Sequence, residues 1–248
     1  MKKVLLSLVI VLIVLIVAGG IVASFFLGPI VKTGMETVGP KITQVSVRVD
    51  AVNLSLLTGS AGIKNLVVGN PEGYKAPEAI RIGSASVGVN PLSILTDKIV
   101  IRSVRVEAPE ITFEGNPFSG NNLNTILKNV SSATESSGTA ATNAPGEPPA
   151  KPAKKLEVDE LLITGGKVNF NGATLSLPDI HLTNLGKGSE GITSVDLTRR
   201  VLSALTSATI KAVAGAATDL GKGAEKSLET GVSNVTKSLG GLFKKSTN

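Results

Sequence analysis

Cysteine is absent from the 248 residues, and with it go disulfides, thiolate nucleophiles and cysteine-ligated metals, while the redox compartment stays open. Tryptophan is missing too, and there is one tyrosine and one histidine. Aromatic residues make up 3% of a chain that is 42% hydrophobic, so its apolar content is aliphatic and much of it β-branched, a composition suited to pleated sheet. With His181 as the sole histidine, a Ser-His-Asp triad or a histidine-built zinc site is hard to assemble. Net positive charge is lacking in the middle of the chain, where 15 basic residues stand against 16 acidic ones. The net charge is +6, yet Lys2 and Lys3 stand at one end, and from Arg199 onward eight basic residues face three acidic ones. A nucleic-acid binder carries its basic face on the folded domain, whereas charge at the two ends suits anionic lipid headgroups. No nucleic-acid partner is expected.

What is present begins with a run of 24 residues, Val4 to Leu27, that holds no charge and is interrupted only by Ser7, Ser24 and the pair Gly19-Gly20. As a helix it reaches about 36 Å, enough to span a hydrocarbon core of about 30 Å with some tilt. Lys2 and Lys3 make residues 1–3 a cytoplasmic tip and send everything after Pro29 to the far side. The alternative is a cleaved leader ending near Val22-Ala23-Ser24, but the apolar run exceeds the roughly 7–15 residues of such a segment.

Beyond Gly39-Pro40 the pattern has a period of two. Val45, Val47 and Val49 alternate with polar residues, then the phase slips at Ala51-Val52 and continues through Leu54 and Leu56, as a β-bulge or bend would require. Strand patterns follow at Ile80 and Ile82 through Val87 and Val89, at Ile99, Ile101, Val104 and Val106, and at Ile111 and Phe113. Leu123, Ile126, Leu127 and Val130 have helical spacing. Residues 131–155 lack bulky apolar side chains and are rich in proline, serine and alanine, the composition of a disordered loop. Strands resume with Leu156, Val158, Leu161 and Ile163, then Val168 and Phe170, then Leu175 and Leu177, and close at Ile180 and Leu182. Asn171-Gly172 between two of them is the best hairpin signal in the chain. The order divides residues 40–130 and 156–185 into two parts of one β domain with 131–155 as an internal loop. Residues 194–245 return to helical periodicity, with Ser194 as N-cap, Val201, Leu202, Leu205, Ile210 and Val213 on one stripe, a break at Gly221 and Gly223, and a second stripe of Leu228, Val232, Val235, Leu239 and Leu242. Those helices either pack on the sheet or lie on a membrane surface.

The candidate catalytic groups are weak. Gly186, Gly188 and Gly191 match G-x-G-x-x-G, but no parallel strand follows, so the segment reads as a flexible connection and no cofactor is expected. His181 belongs at the surface or an edge. Asp159, Glu160, Glu107, Glu110, Arg102 and Arg105 alternate with apolar residues and belong on solvated outer faces. No catalytic residue and no metal ligand is assigned, and the chain is read as a non-enzyme.

The N-terminal half resembles the AsmA family of bacterial envelope proteins. The likeness rests on the Lys-Lys-led anchor, LTGSAGIKNLVVGNPEGY at 57–74, PEAIRIGSASVGV at 77–89, SIL at 93–95, IVIRSVRVEAPEITF at 99–113 and GNNLNTIL at 120–127. It covers about residues 1–130 and more loosely the strands to 185. The resemblance implies a curved antiparallel β-sheet forming a groove with an apolar interior, an inner-membrane location with the bulk of the chain periplasmic, and a part in phospholipid movement or outer-membrane assembly. Membrane lipid is then the expected partner, with other envelope proteins as further ones. Eight or nine strands would give a groove of about 40 Å at a spacing of about 4.8 Å, too short to cross a periplasm alone. From the alternation itself, the groove lining is expected to be Val45, Val47, Val49, Ile80, Ile82, Ile99, Ile101, Val104, Val106, Ile111, Phe113, Leu161, Ile163, Val168, Phe170, Leu175 and Leu177. The helices look too few to cover that face, which leaves an open apolar surface for lipid. In the competing expectation the chain is a structural or adaptor protein whose C-terminal helices close the sheet.

Overall fold

A computed structural model describes residues 2–137, 154–188, 190–216 and 218; the side chains of 2–9, 11–18, 21, 23, 25 and 134–137 are outside it. Among the described residues the fold is mainly β, with one curled half-barrel sheet and three α-helices. Helix α1 (Lys2–Thr43) runs on through Pro29 and Pro40. It stops where Gln44 turns left-handed at φ 57°, with the Gln44 side chain donating to the Lys41 carbonyl at 2.8 Å. The expected anchor lies within it, mostly on positions whose side chains are outside the described residues. Among the described residues no helix is long and apolar enough to cross a membrane.

Nine strands make the sheet: β1 (Val47–Ser55), β2 (Ser60–Gly69), β3 (Glu78–Val89), β4 (Lys98–Glu107), β5 (Glu110–Thr112), β8 (Lys155–Thr164), β9 (Lys167–Phe170), β10 (Ala173–Ser176) and β11 (Ile180–Leu185). A short pair, β6 (Gly115–Asn116) with β7 (Gly120–Asn121), stands apart. Helix α2 (Asn122–Ser137) precedes β8, and α3 covers 194–216. Two expectations are corrected. The sheet is mixed, because β8 and β9 return parallel to β4 and β5 after the crossover through α2. Residues 131–137, expected to be disordered, continue α2, and Lys155 already belongs to β8; residues 138–153 lie outside the described ones. The second stripe, Leu228 to Leu242, lies outside them too.

The nine strands are segments of six ranks. β4 and β5 hold one register against β3, β8 and β9 hold one register against β4 and β5, and β11 and β10 hold one register against β8 and β9. At about 4.8 Å per rank the sheet is about 25–30 Å wide, narrower than the strand count suggested. Each pairing is interrupted at one transverse row: Asp50, Asn65, Gly83, Ala108, Gly165 and Pro178. Asn65, Ala108 and Gly165 have φ of 46°, 48° and 64°. Because every rank carries one extra residue at the same level, register survives while the inward-facing parity flips. Val47 and Val49 give way to Val52 and Leu54 in β1, and Ile111 gives way to Val106 and Val104 along β5 and β4. This is the phase slip visible at Ala51-Val52, repeated across the sheet as a crease. A second, shorter crease passes Arg102, Asp159 and Asn184, the last at φ 56°. The left-handed φ at Ala108 costs a residue with a Cβ about 1–2 kcal/mol. Ala108→Gly should therefore leave the fold intact and shift the urea midpoint upward by up to about 1 kcal/mol of stability.

α1 lies along the open edge of β1 and occupies its unpaired backbone groups. Val49 N donates to Glu36 Oε1 at 3.0 Å, Leu56 N to Ser24 Oγ at 3.3 Å, and Lys32 Nζ donates to the Asp50 carbonyl at 3.1 Å. Gly28 permits this approach, since a Cβ there would collide with the Val52 carbonyl oxygen. A free strand edge is thereby covered.

The inner face of the sheet is covered as well. α2 buries Leu123, Ile126 and Val130 against it, and α3 buries Leu202, Leu205 and Val213. The expectation of too few helices is corrected: two amphipathic stripes supply the cover. Thr193, not Ser194, caps α3. Its Oγ1 accepts from Asp196 N at 3.0 Å and donates to Asp196 Oδ2 at 2.8 Å. At the other end of the sheet Asn122 is fully buried, bonding Asn70 Oδ1 at 2.8 Å, the Thr112 carbonyl at 2.7 Å and Glu114 N at 3.0 Å. Asn122→Ala would strand all three partners and should cost about 3 kcal/mol in chemical denaturation, with faster amide exchange in the 70–77 loop.

Candidate functional site

The crease makes a hollow in the inner face. Leu66, Val68, Ile80, Ile82 and Pro109 line it from one side of the creased row, and Val104, Val106, Leu161 and Ile163 from the other. α3 roofs it with Leu197, Thr198, Val201, Leu202 and Leu205, and Ile126 of α2 and Thr43 at the end of α1 close the rim. The hollow holds about 310 Å³ and is partly open to solvent, and among the described residues Thr43 and Thr198 are the only polar ones in its wall. That volume is at the small end of ligand cavities, which run from about 300 to 1,000 Å³.

Six of the expected lining residues, Ile80, Ile82, Val104, Val106, Leu161 and Ile163, come together here. The others do not. Val45, Ile111, Phe113, Val168 and Leu177 are buried in the core away from the cavity, and Ile101, Phe170 and Leu175 are half-buried against it. Phe170 meets Phe113 edge to face at 5.6 Å between centroids. Val47 and Val49 share the inner face, but α1 lies over them: Gly39 packs directly on Val47. Ile99 is half-buried at the far end of β4. The lining residues that the pattern does not reveal are Leu66 and Val68, in a strand that no single period marks, together with Thr43, Pro109, Ile126, Leu197 and Thr198; the stripe of Val201, Leu202 and Leu205 is legible, and of its two expected places, on the sheet or on a membrane surface, the structure shows the sheet.

A larger groove of about 690 Å³ follows the seam between α1 and β1. Lys32, Asp50, Asn53 and the β1 backbone contribute to its walls, so it offers polar groups where the cavity under α3 offers almost none. For an apolar ligand the cavity is the better fit on chemistry, although the groove is roomier.

The remaining candidates stand where solvent reaches them. His181 lies on the edge strand β11 with Nε2 3.1 Å from Glu160 Oε1, and Arg105 is 3.9 Å from the other oxygen of Glu160. Arg102, Glu107, Glu110 and Asp159 are exposed. The G-x-G-x-x-G segment, whose residue 189 lies outside the described ones, ends beside Leu156, which exchanges two backbone hydrogen bonds of 2.8 Å with Ile192. Gly186 and Gly191 sit at φ of 73° and 64°, pressed on the Leu156 carbonyl. That contact is reason enough for glycine at both positions.

Comparison with protein-family models, with curated proteins and with solved structures found no match for this chain.

Proposed function

We propose that this is a non-enzymatic, single-pass protein of the bacterial inner membrane, of the AsmA type, whose periplasmic β domain holds a phospholipid acyl chain during envelope biogenesis. The observation that carries the proposal is the cavity over the crease, apolar but for Thr43 and Thr198 and roofed by one amphipathic helix. Each methylene buried there contributes about 0.8 kcal/mol, so no specific polar contact is needed to retain a chain. The cavity suits one acyl chain or part of one; the second chain and the headgroup stay outside it unless α3 moves. The anchor is supported by the charge-free run behind Lys2 and Lys3, and by apolar side chains of α1 that face outward, among them Ile10, Val22, Phe26 and Ile30.

The second reading, an adaptor without ligand, is favoured by the cover that α2 and α3 give the inner face. Lipid mass spectrometry on the full chain, extracted in mild detergent and then washed in a delipidating one, separates the two. Acyl lipid retained near one equivalent supports the carrier; a lipid-free but folded protein supports the adaptor.

A further inference from the structure

Ten large apolar side chains are exposed among the described residues, and they are not scattered. Six belong to α1, Phe118 stands alone on the β6–β7 hairpin, and the remaining three, Leu57, Leu92 and Leu95, gather at one end of the sheet at 51%, 76% and 85% exposure. Leu57 is in the β1–β2 turn, and Leu92 and Leu95 are in the short 3-10 turn Pro91–Leu95 between β3 and β4. The two turns touch: Val89 N donates to the Gly59 carbonyl at 2.6 Å, and Gly59 packs on Pro91.

The 3-10 turn is built inside out. Its serine points inward, with Ser93 Oγ donating to the Asn90 carbonyl at 2.6 Å and accepting from Val100 N at 2.9 Å, while Leu92 and Leu95 point into solvent. Burial alone would favour the reverse. α1 supplies the reason. It runs antiparallel to β1, from Gly39 at Val47 through Ser24 at Leu56 to Gly20 at Leu57, and a Cβ on Gly19 would meet nothing. Counting a span of about 20 residues from Val4 puts the outer boundary of the hydrocarbon near Ser24, level with Leu56 and Leu57.

We infer that Leu57, Leu92 and Leu95 are a membrane-docking rim: they dip into the outer leaflet beside the anchor and seat this end of the sheet on the bilayer. The inference rests on the anchor reading and goes beyond it, since a span on a free tether needs no such contact. Single apolar surface residues are ordinary, but a cluster continuous with a membrane helix marks an interfacial surface.

A chain without cysteine suits the test. Leu12→Cys, Leu92→Cys, Leu95→Cys and Phe118→Cys would each take a nitrobenzoxadiazole label, with the full chain reconstituted in vesicles of phosphatidylethanolamine and phosphatidylglycerol. Labels at 92 and 95 should emit blue-shifted and resist aqueous iodide, as the label at 12 does, while the label at 118, at the opposite end of the sheet, quenches freely. If 92 and 95 behave like 118 while 12 stays protected, docking is overturned and the anchor stands. If the label at 12 is quenched too, the anchor reading falls and docking falls with it. Positions 92, 95 and 118 carry exposed side chains, so their replacement leaves the core untouched.

Discussion

Filling the cavity from both sides, with Val104→Phe on β4 and Val201→Phe on α3, should remove at least nine-tenths of the acyl lipid that co-purifies with the protein while leaving it folded. Both side chains border the hollow, one from the creased sheet and one from its roof. A phenyl ring entering existing space adds contacts without displacing neighbours, and cavity-filling changes of this kind typically add about 0.5–2 kcal/mol. The melting temperature should therefore hold or rise as the lipid disappears. That pairing of opposite effects distinguishes a lost ligand from a damaged fold. If the double variant is well folded and still carries its lipid, the lipid sits elsewhere, and the α1–β1 groove becomes the first place to look.

The second large effect concerns stability. Phe113 is 1% exposed, packed in the core beside Phe170. Phe113→Ala should cost about 3–5 kcal/mol in urea denaturation, a large share of the roughly 5–15 kcal/mol of a whole domain. Phe170→Ala, at a half-buried position, should cost less than half of that. Equal losses at the two positions would mean that the pair, not the burial of Phe113, holds this part of the core.

The comparison between pattern and fold turns on the crease. In β1 the slip at Ala51-Val52 was legible because valines flank it on both sides. In β2 the same insertion falls at Asn65, and it scatters the apolar residues as Ile63, Leu66, Val67 and Val68, so no single period covers the strand and it was missed. That the slips of six ranks fall on one line cannot be read from any one strand, because it depends on pairing across the sheet. Short-range chemistry was more readable. Asn171-Gly172 is a two-residue turn with both residues at positive φ, 50° and 82°, joining Phe170 to Ala173. The stripe of Leu123, Ile126 and Val130 is the buried face of α2. The cap of α3 was misplaced by one residue because Thr193 and Ser194 are both good caps, and only Asp196, three residues after Thr193, selects between them. The parallel return of β8 was hidden for another reason: its direction is set by a crossover of more than 40 residues, none of whose described residues belongs to the main sheet.

α3 is the element on which the groove and adaptor readings part. Its buried side chains Leu202 and Leu205 belong both to the core and to the cavity roof, so the same helix that completes the fold also covers the hollow. A roof attached by one apolar stripe is also the element whose displacement would admit a larger part of a lipid.

The most direct measurement is methyl-resolved NMR on the full chain in nanodiscs, with Ile, Leu and Val methyls labelled and the co-purified lipid retained. Nuclear Overhauser contacts are expected from acyl methylenes to Ile82, Val104, Ile163 and Val201, residues from both sides of the crease and from its roof. Contacts confined to the methyls of the N-terminal helix, with those four silent, would mean that the hollow is empty and that lipid only surrounds the anchor.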